Sequence, residues 1–553
     1  MGQTTSVESS NKPKFTSEKE VLNWYNTKAI KAVTTPELVS FRANIQGKSL
    51  DDALTGEELI SLLRLDSCNK NVSGLLFSFI QTLANFPMLK DCYEYLTYVG
   101  VLKSCVLLSK ERCLKFVHDK SYNHTKLIYI ALSLNKSVKE LSATPLSDET
   151  LDVRKIVSTF NEVCEDELSV SADVMWDFVT LLLRLAKATL IKNCKINREI
   201  SDDWDSFKIA ALNIVRSMNH DIVTSQDTAT NTITCAQFQD TVSSVCPRLL
   251  VPLESLAEHV FFLERDLVDI DVPKMLNAES RLVTEALLSQ LATFWPREMI
   301  FSSLRKLYAG RESGYSMRSL QSKAFKWMAP SILFVNGIRI PNDQEYATTK
   351  NHRYQRFLDD YPRLKDGDQE IIPAFTGKKK VTFAIYVNEP WKVTNSEMFG
   401  DTKTTIIQLS PTQEVFKASR SGNIYFNTLG GGLGIGSPQP IVKNNVRKYL
   451  PGNVSLTIDS NLEFGAFRNV GRGGVMNPGM LSSESSEHKF LIQDIEVWGC
   501  GGEKELEEQI KNWEWEEAEA ARRQRINLKS INDDRALLEL AGLVGQNQSG
   551  GSV

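Results

Sequence analysis

No stretch of this 553-residue chain approaches the roughly 18 uninterrupted apolar residues of a membrane-spanning helix. The best run, Phe178 to Ile191, is broken by Arg184 and Lys187 and reads as a buried core helix. Positive charge is not in excess either: 64 Lys and Arg stand against 68 Asp and Glu, leaving a formal charge of -4. The chain as a whole offers no field for a polyphosphate backbone, and no nucleic-acid partner is expected. Nine cysteines include no C-x-x-C pair; their odd number and irregular spacing argue against a disulfide framework and for reduced thiols. Six scattered histidines form no H-E-x-x-H, and no G-x-S-x-G elbow occurs, so neither a catalytic metal nor an acyl-transfer triad has support. We therefore assign no catalytic residue, no metal and no cofactor. No internal repeat is visible.

What is present is ordinary globular material, 42% hydrophobic and 24% charged, long enough for three to four domains at about 150 residues each. The opening Met-Gly-Gln-Thr-Thr-Ser lacks the apolar run of a signal peptide but fits M-G-x-x-x-[ST], which makes Gly2 a candidate for N-myristoylation at the head of a disordered arm, 1–15. One myristoyl chain binds membranes only marginally, with an association constant of order 10⁴ M⁻¹, and a second signal is needed. Cys68 is too distant for neighbouring acylation, and Lys12, Lys14 and Lys19 make a thin basic patch, which leaves a membrane-bound protein partner as the natural second anchor.

Helix signals then run through 16–275. Ser17 with Glu20 and Thr234 with Gln237 spell capping boxes, Thr35-Pro36 supplies an N-cap and first-turn proline, and apolar positions recur at helical spacing in Asp173 to Ile191 and Leu250 to Leu267. We read an all-helical domain with mobile loops at 135–149 and 193–203. The loop Asn219 to Thr232 between helices is EF-hand-like but degenerate: Asp221 and Asp227 are its only acids, and the turn glycine and terminal Glu of a calcium loop are missing.

From about residue 284 the pattern changes. Leu287 to Tyr308 keeps helical spacing, after which short alternating runs read as antiparallel strands: 331–335, 381–387, 405–409, 423–426, 454–458, 462–464 and 490–498. The fold class is α+β. Glycines 430, 431, 432, 434 and 436 match neither G-x-G-x-x-G nor a Walker loop and read as a structural turn. Asp459, Glu463 and Glu496 would serve as general acid and base only if they converged in a cleft; surface or turn roles are the simpler expectation.

Three motifs in order, Leu307-Tyr-Ala-Gly-Arg-Glu-Ser-Gly-Tyr-Ser-Met-Arg-Ser-Leu320, Ala329-Pro-Ser-Ile-Leu-Phe-Val335 and Glu496-Val-Trp-Gly-Cys-Gly-Gly502, carry a resemblance to the TLDc family. Trp391, Tyr425-Phe426, the glycines from 430 to 436 and Asp459-x-x-Leu462-x-x-Gly465 extend it. Met1-Gly-Gln, Lys326-Trp-Met-Ala-Pro330 and Arg535-Ala-Leu-Leu-Glu539 suggest that the likeness to one branch runs along the whole chain. The resemblance implies a two-sided antiparallel β-sandwich with flanking helices at 276–502, and partners in the vacuolar or lysosomal proton pump, the V-ATPase. Some relatives disassemble that pump and others are linked to oxidative-stress resistance. After Gly465, Ala466-Phe-Arg-Asn469 departs from the usual TLDc stretch, which puts an enzymatic role there in doubt.

A last helical segment is expected at 503–544, ahead of a disordered tail, 545–553. Within 503–525, Leu506, Ile510, Trp513 and Ala520 form a stripe too narrow for a core helix, and Trp515 falls off it. Leu506, Ile510, Trp513 and Trp515 are therefore the candidate partner-binding residues. The expected function is non-enzymatic: a regulator at the cytosolic face of the vacuolar membrane that binds the V-ATPase peripheral sector and promotes its disassembly from the membrane sector. An oxidative-stress enzyme and a membrane-tethered signalling scaffold are the alternatives.

Overall fold

The computed structural model describes residues 15, 17–63, 65, 70–88, 95–133, 168–192, 204–261, 265–269, 280–340, 346, 351–362, 364–366, 369–370, 380–443, 446–479, 486–501 and part of 504–522. Gly2, Leu506, Trp513, the loops at 135–149 and 193–203, and everything beyond 522 lie outside the described residues.

In the first half, local chemistry starts the helices where the sequence says. Ser17 Oγ accepts from Glu20 N at 3.3 Å to open Glu18–Ala32, and Thr234 and Gln237 complete a reciprocal box before Cys235–Ser244. The helix Thr35–Asn44 is capped one residue earlier than read: Glu37 Oε2 accepts from both N and Oγ1 of Thr34 at 2.9 Å, and Pro36 occupies the first turn, where no N–H is missed. Leu22, Tyr25, Phe79, Leu102, Phe178, Leu182 and Phe238 are buried in one continuous core.

This half is not all helical. Ala53–Leu54 pairs antiparallel with Leu96–Thr97, and Ser169–Ser171 with Thr232–Thr234, each bridging two helix–loop–helix units as paired EF-hands do. The helix Ala172–Lys187 stops four residues short of Ile191, because Ala188–Lys192 pairs with Arg265–Asp269. That second strand takes the end of the run read as helical to Leu267; its helix, Val251–Phe261, has already finished.

The second half is built around a ten-stranded antiparallel sheet. Its strands are β1 Leu304–Ala309, β2 Ser331–Arg339, β3 Lys380–Val387, β4 Thr405–Ser410, β5 Glu414–Lys417, β6 Ile424–Asn427, β7 Gly432–Ile435, β8 Val454–Ile458, β9 Phe464–Asn469 and β10 Ser486–Cys500. The order is β5-β4-β3-β2-β10-β9-β8-β7-β6, with β1 also on β10. Two strands correct the sequence reading. Leu304–Ala309 is not helical; Arg297–Ser302 ends the helical run and β1 pairs with Glu496 to Cys500. Gly432–Ile435 is a strand between β6 and β8, and only 428–431 turns.

The sheet curls into two layers. A flat sheet would hold β5 and β9, five strands apart, about 24 Å from each other. Instead the rings of Phe416 on β5 and Phe467 on β9 are 5.0 Å apart, with Phe383 of β3 at 4.9 Å from Phe467. β10 joins the layers: one edge pairs with β2, while the other is shared end to end by β9 and β1.

The two halves interlock. The turn after β4 reaches into the helical half, where Gln413 N donates to Asn213 O (3.0 Å), Ser217 Oγ to Gln413 O (2.5 Å) and Arg216 Nη1 to Pro411 O (3.1 Å). Gln290, on the helix Glu285–Ala292, donates to Leu409 O at 2.8 Å, and Lys187 pairs with Glu285 at 2.5 Å.

Candidate partner-binding surface

After β10 the chain leaves the sheet over a fixed root. The Trp327 indole is buried, donates to Pro330 O at 2.9 Å and lies against Gly499 and Gly501, where an added Cβ would come within 2.4 and 2.8 Å of its ring. Gly501 N donates to Ser303 O at 3.3 Å, closing the exit. Beyond it, the described residues between 504 and 522 are helical, and all but Glu519 are exposed. Ile510 is 40% exposed and Trp515 is 68% exposed. Two of the four predicted contact residues are thus displayed outward beyond a clamped root, and Leu506 and Trp513 fall outside the described residues.

The three sheet acids do not share a cleft. Asp459, buried at the β8–β9 turn, uses Oδ1 to accept from Glu463 N (2.7 Å) and Phe464 N (2.8 Å) and Oδ2 to accept from Asn461 N (3.2 Å). Glu463 accepts from Asn351 Nδ2 at 2.9 Å and pairs with Arg353 at 3.3 Å. Glu496 is 3% exposed, so a surface role is wrong for it; it accepts from Ser280 Oγ and Trp498 Nε1, both at 2.8 Å, and burial pushes its carboxyl up. Ile492 N donates to Glu463 O, so Glu496 lies four residues, about 13 Å, further along β10.

Oxygen donors in the EF-hand-like loops are also engaged within the loops. Asp227 Oδ2 accepts from Val223 N, Thr224 N and Thr224 Oγ1 at 2.6 to 3.0 Å. In the first unit, the Lys48 ammonium bonds Glu58 and pulls its carboxyl down to about 2, while Glu58 Oε2 accepts from Thr55 N at 2.8 Å. No cluster of three or more metal-ligating side chains forms among the described residues. None of the described helices is long and apolar enough to cross a membrane.

Comparison with known proteins places this geometry. The TLDc domain family matches residues 276–501. A protein of Lachancea thermotolerans named restriction of telomere capping protein 5 is 66% identical over 556 residues, covering 100% of both chains. Proteins of the same name from Saccharomyces cerevisiae and Kluyveromyces lactis are each 48% identical over 569 and 577 residues, again across 100% of both chains. The chain belongs to the restriction of telomere capping protein 5 family.

Within this family member, the TLDc motif residues do structural work. Tyr308 Oη donates to Gly314 O (2.8 Å), Tyr315 Oη to Gln493 O (2.9 Å) and Trp391 Nε1 to Ser331 Oγ (2.8 Å), while Ser316 caps Met317–Ala324. Trp498 is fully buried, and an added Cβ on Gly465 would meet Phe490 at 2.3 Å. In the divergent stretch, Arg468 pairs with Glu487 at 2.6 Å and donates to Pro362 O at 2.6 Å, fastening β9 to β10 and to the chain beside it. The sequence reading passed over a separate two-stranded ribbon, Ile441–Lys443 with Val446–Lys448. Its signal was available as two short runs, Ile-Val-Lys and Val-Arg-Lys, on either side of the turn-forming Asn444-Asn445.

Proposed function

We propose that this protein is a non-enzymatic regulator of the vacuolar proton pump, which binds the V-ATPase peripheral sector and promotes its release from the membrane sector. The observation that carries the reading is the outward helix with Ile510 and Trp515 exposed beyond the root clamped by Trp327. Ile510, on the narrow apolar stripe, suits docking in a partner's groove, and Trp515, about 140° round the helix, offers a second exposed contact on the groove's wall. Preferential affinity for the separated sector then shifts the assembly equilibrium toward disassembly. Myristoylation at Gly2 brings the protein to the cytosolic face of the vacuolar membrane. The structural employment of Asp459, Glu463 and Glu496 favours this reading over catalysis. The relatives' name refers to telomere capping and names no binding partner.

The test mixes purified, myristoylated protein with membranes bearing intact V-ATPase and follows the peripheral sector by sedimentation and ATPase assay. Release is expected, and removal of 503–553 abolishes it without unfolding the rest. A Trp at an interface hot spot is worth at least about 2 kcal/mol, so Trp515→Ala weakens binding roughly thirtyfold. Undiminished release by the truncated chain refutes the docking helix; tight binding without release favours a scaffold, and no binding reopens the enzyme reading.

A further inference from the structure

Among the described residues the ribbon Ile441–Lys443/Val446–Lys448 pairs only with itself and stands apart from the ten-stranded sheet. Its root is held on two sides. Arg447 is fixed by Asp360 Oδ2 at 2.7 and 3.0 Å, donates to Ser460 Oγ at 3.2 Å and also bonds Gly430 O. Gly431 lies against Pro440, where an added Cβ would come within 2.6 Å. This brings the 428–431 turn beside the ribbon; Leu429 on the turn is 67% exposed, and Ile441 and Val442 on the ribbon are 54% and 47% exposed. Leu429 and Ile441 therefore remain in solvent beside a fixed root, while Val442 lies opposite Arg447 on the other face of the ribbon.

Charge completes the pattern. Ile441 is directly opposite Lys448, and Lys443 lies two residues on, which places all three on one face. Lys443 and Lys448 are exposed, and neither forms an ion pair among the described residues. On the helix His352–Asp360, Arg356 lies one turn before Asp360 on the same row and adds an exposed cation. The exposed carboxylates on the elements holding the root are Asp359, which accepts from Gln355 at 2.8 Å, and Glu397. The ribbon's own charges are all positive, and Arg447, the one neutralised, is turned to the root.

We propose that this ribbon is a membrane-contacting finger: Leu429 and Ile441 enter the headgroup boundary of an anionic bilayer while Lys443 and Lys448 pair with lipid phosphates. Aliphatic side chains interleaved with lysines are the composition of interfacial membrane elements. Protein–protein interfaces are depleted of lysine and anchored on aromatic residues and arginine, and the ribbon's exposed face has the reverse balance. The finger supplies the second membrane signal that a single acyl chain requires. It rests neither on the pump reading nor on acylation at Gly2.

The experiment uses the full chain carrying Gly2→Ala, so that no lipid anchor contributes, and measures co-sedimentation with phosphatidylcholine vesicles with and without phosphatidylserine. Binding is expected only with phosphatidylserine and falls as salt rises. Removing one lysine near an anionic surface costs about fivefold, so Lys443→Ala with Lys448→Ala weakens binding about 25-fold. Leu429→Ser with Ile441→Ser removes the part that survives high salt. All four side chains are exposed, so unchanged thermal midpoints verify that the variants fold. No binding to anionic vesicles, equal binding to neutral ones, or full binding by the double-lysine variant overturns the proposal. So does a lysine variant that keeps vesicle binding while losing a protein partner.

Discussion

The same substitution at two glycines of adjacent helices should act with opposite signs. Gly74 sits inside the helix Lys70–Ala84, on the wall of an open cleft of about 460 Å³ that it shares with Gly56, Ile60 and Phe77, and an added Cβ meets nothing within 4 Å. Gly74→Ala therefore gains the helix-interior advantage of Ala, about 0.5–1 kcal/mol, with no steric cost. Gly100 opens the helix Tyr98–Leu108 against that same neighbour: a Cβ there would come within 2.9 Å of Ala84 Cβ and 3.3 Å of Thr97 Oγ1. Thr97 Oγ1 is the cap, accepting from Gly100 N at 3.2 Å, so relief of the clash disturbs the cap as well as the packing. Overpacking of this kind costs about 1–3 kcal/mol and exceeds the propensity gain. For a cooperative unit of about 150–250 residues, 1 kcal/mol moves the midpoint by roughly 2–4 °C. Thermal unfolding followed by circular dichroism should show Gly74→Ala about 2 °C higher and Gly100→Ala several degrees lower. A shift of both in one direction refutes the reasoning, because propensity alone would then decide.

Three other outcomes follow from buried or engaged groups. Burial raises the Glu496 carboxyl, and the bonds from Trp498 and Ser280 only partly oppose this. Such a group contributes stability that is complete below the unfolded value of 4.5 and is lost as pH rises through the folded value. Non-titrating Glu496→Gln should thus gain on the parent as pH rises from the unfolded value of 4.5 through the raised folded one, and a pH-independent difference in midpoint sinks the assignment. Cys105, Cys113, Cys235, Cys246 and Cys500 are buried, and the thiols of Cys105, Cys113 and Cys500 are pushed up to about 12, mainly by burial. A thiol reagent should spare these five until the protein unfolds; modification of Cys500 in the native chain, read by mass spectrometry, contradicts this. Calcium and a chelator should leave the thermal midpoint unchanged, since Lys48 and the loop amides already engage the carboxylates; a calcium-induced rise would show that those bonds yield to the ion.

The sequence was most legible where a residue's partners are its chain neighbours. Ser17 with Glu20 and Thr234 with Gln237 are contacts three residues apart, and the strand Val454–Ile458 is visible because Val, Leu and Ile alternate with Ser and Thr, even though both of its faces are buried. Partners far along the chain produced the errors. Leu304, Leu307 and Tyr308 are spaced as on a helix, but β10 offers them a ladder nearly two hundred residues away. Gly432–Ile435 is glycine-rich because the Tyr425 ring crosses Gly434, where a Cβ would come within 2.2 Å, and that crossing cannot be read from glycine content. Glu496 finds a hydrogen-bond partner in Ser280, 216 positions earlier. The exposed Trp515 was legible from its place off the apolar stripe, whereas the root under Trp327 depends on packing between distant segments.

The interlocking of the two halves separates what recurs among proteins from what coheres mechanically in this one. The TLDc match begins at residue 276, yet Pro411 and Gln413 inside it are bonded by Asn213, Arg216 and Ser217 outside it, and Val245 belongs to the sheet-side core while Ala286 belongs to the helical one. A cut at the edge of the match therefore runs through shared packing and strips buried polar groups of their partners, at about 1–3 kcal/mol apiece. The portable module and the load-carrying body have different borders, and an excised TLDc fragment is a different mechanical object from the same residues in the whole chain.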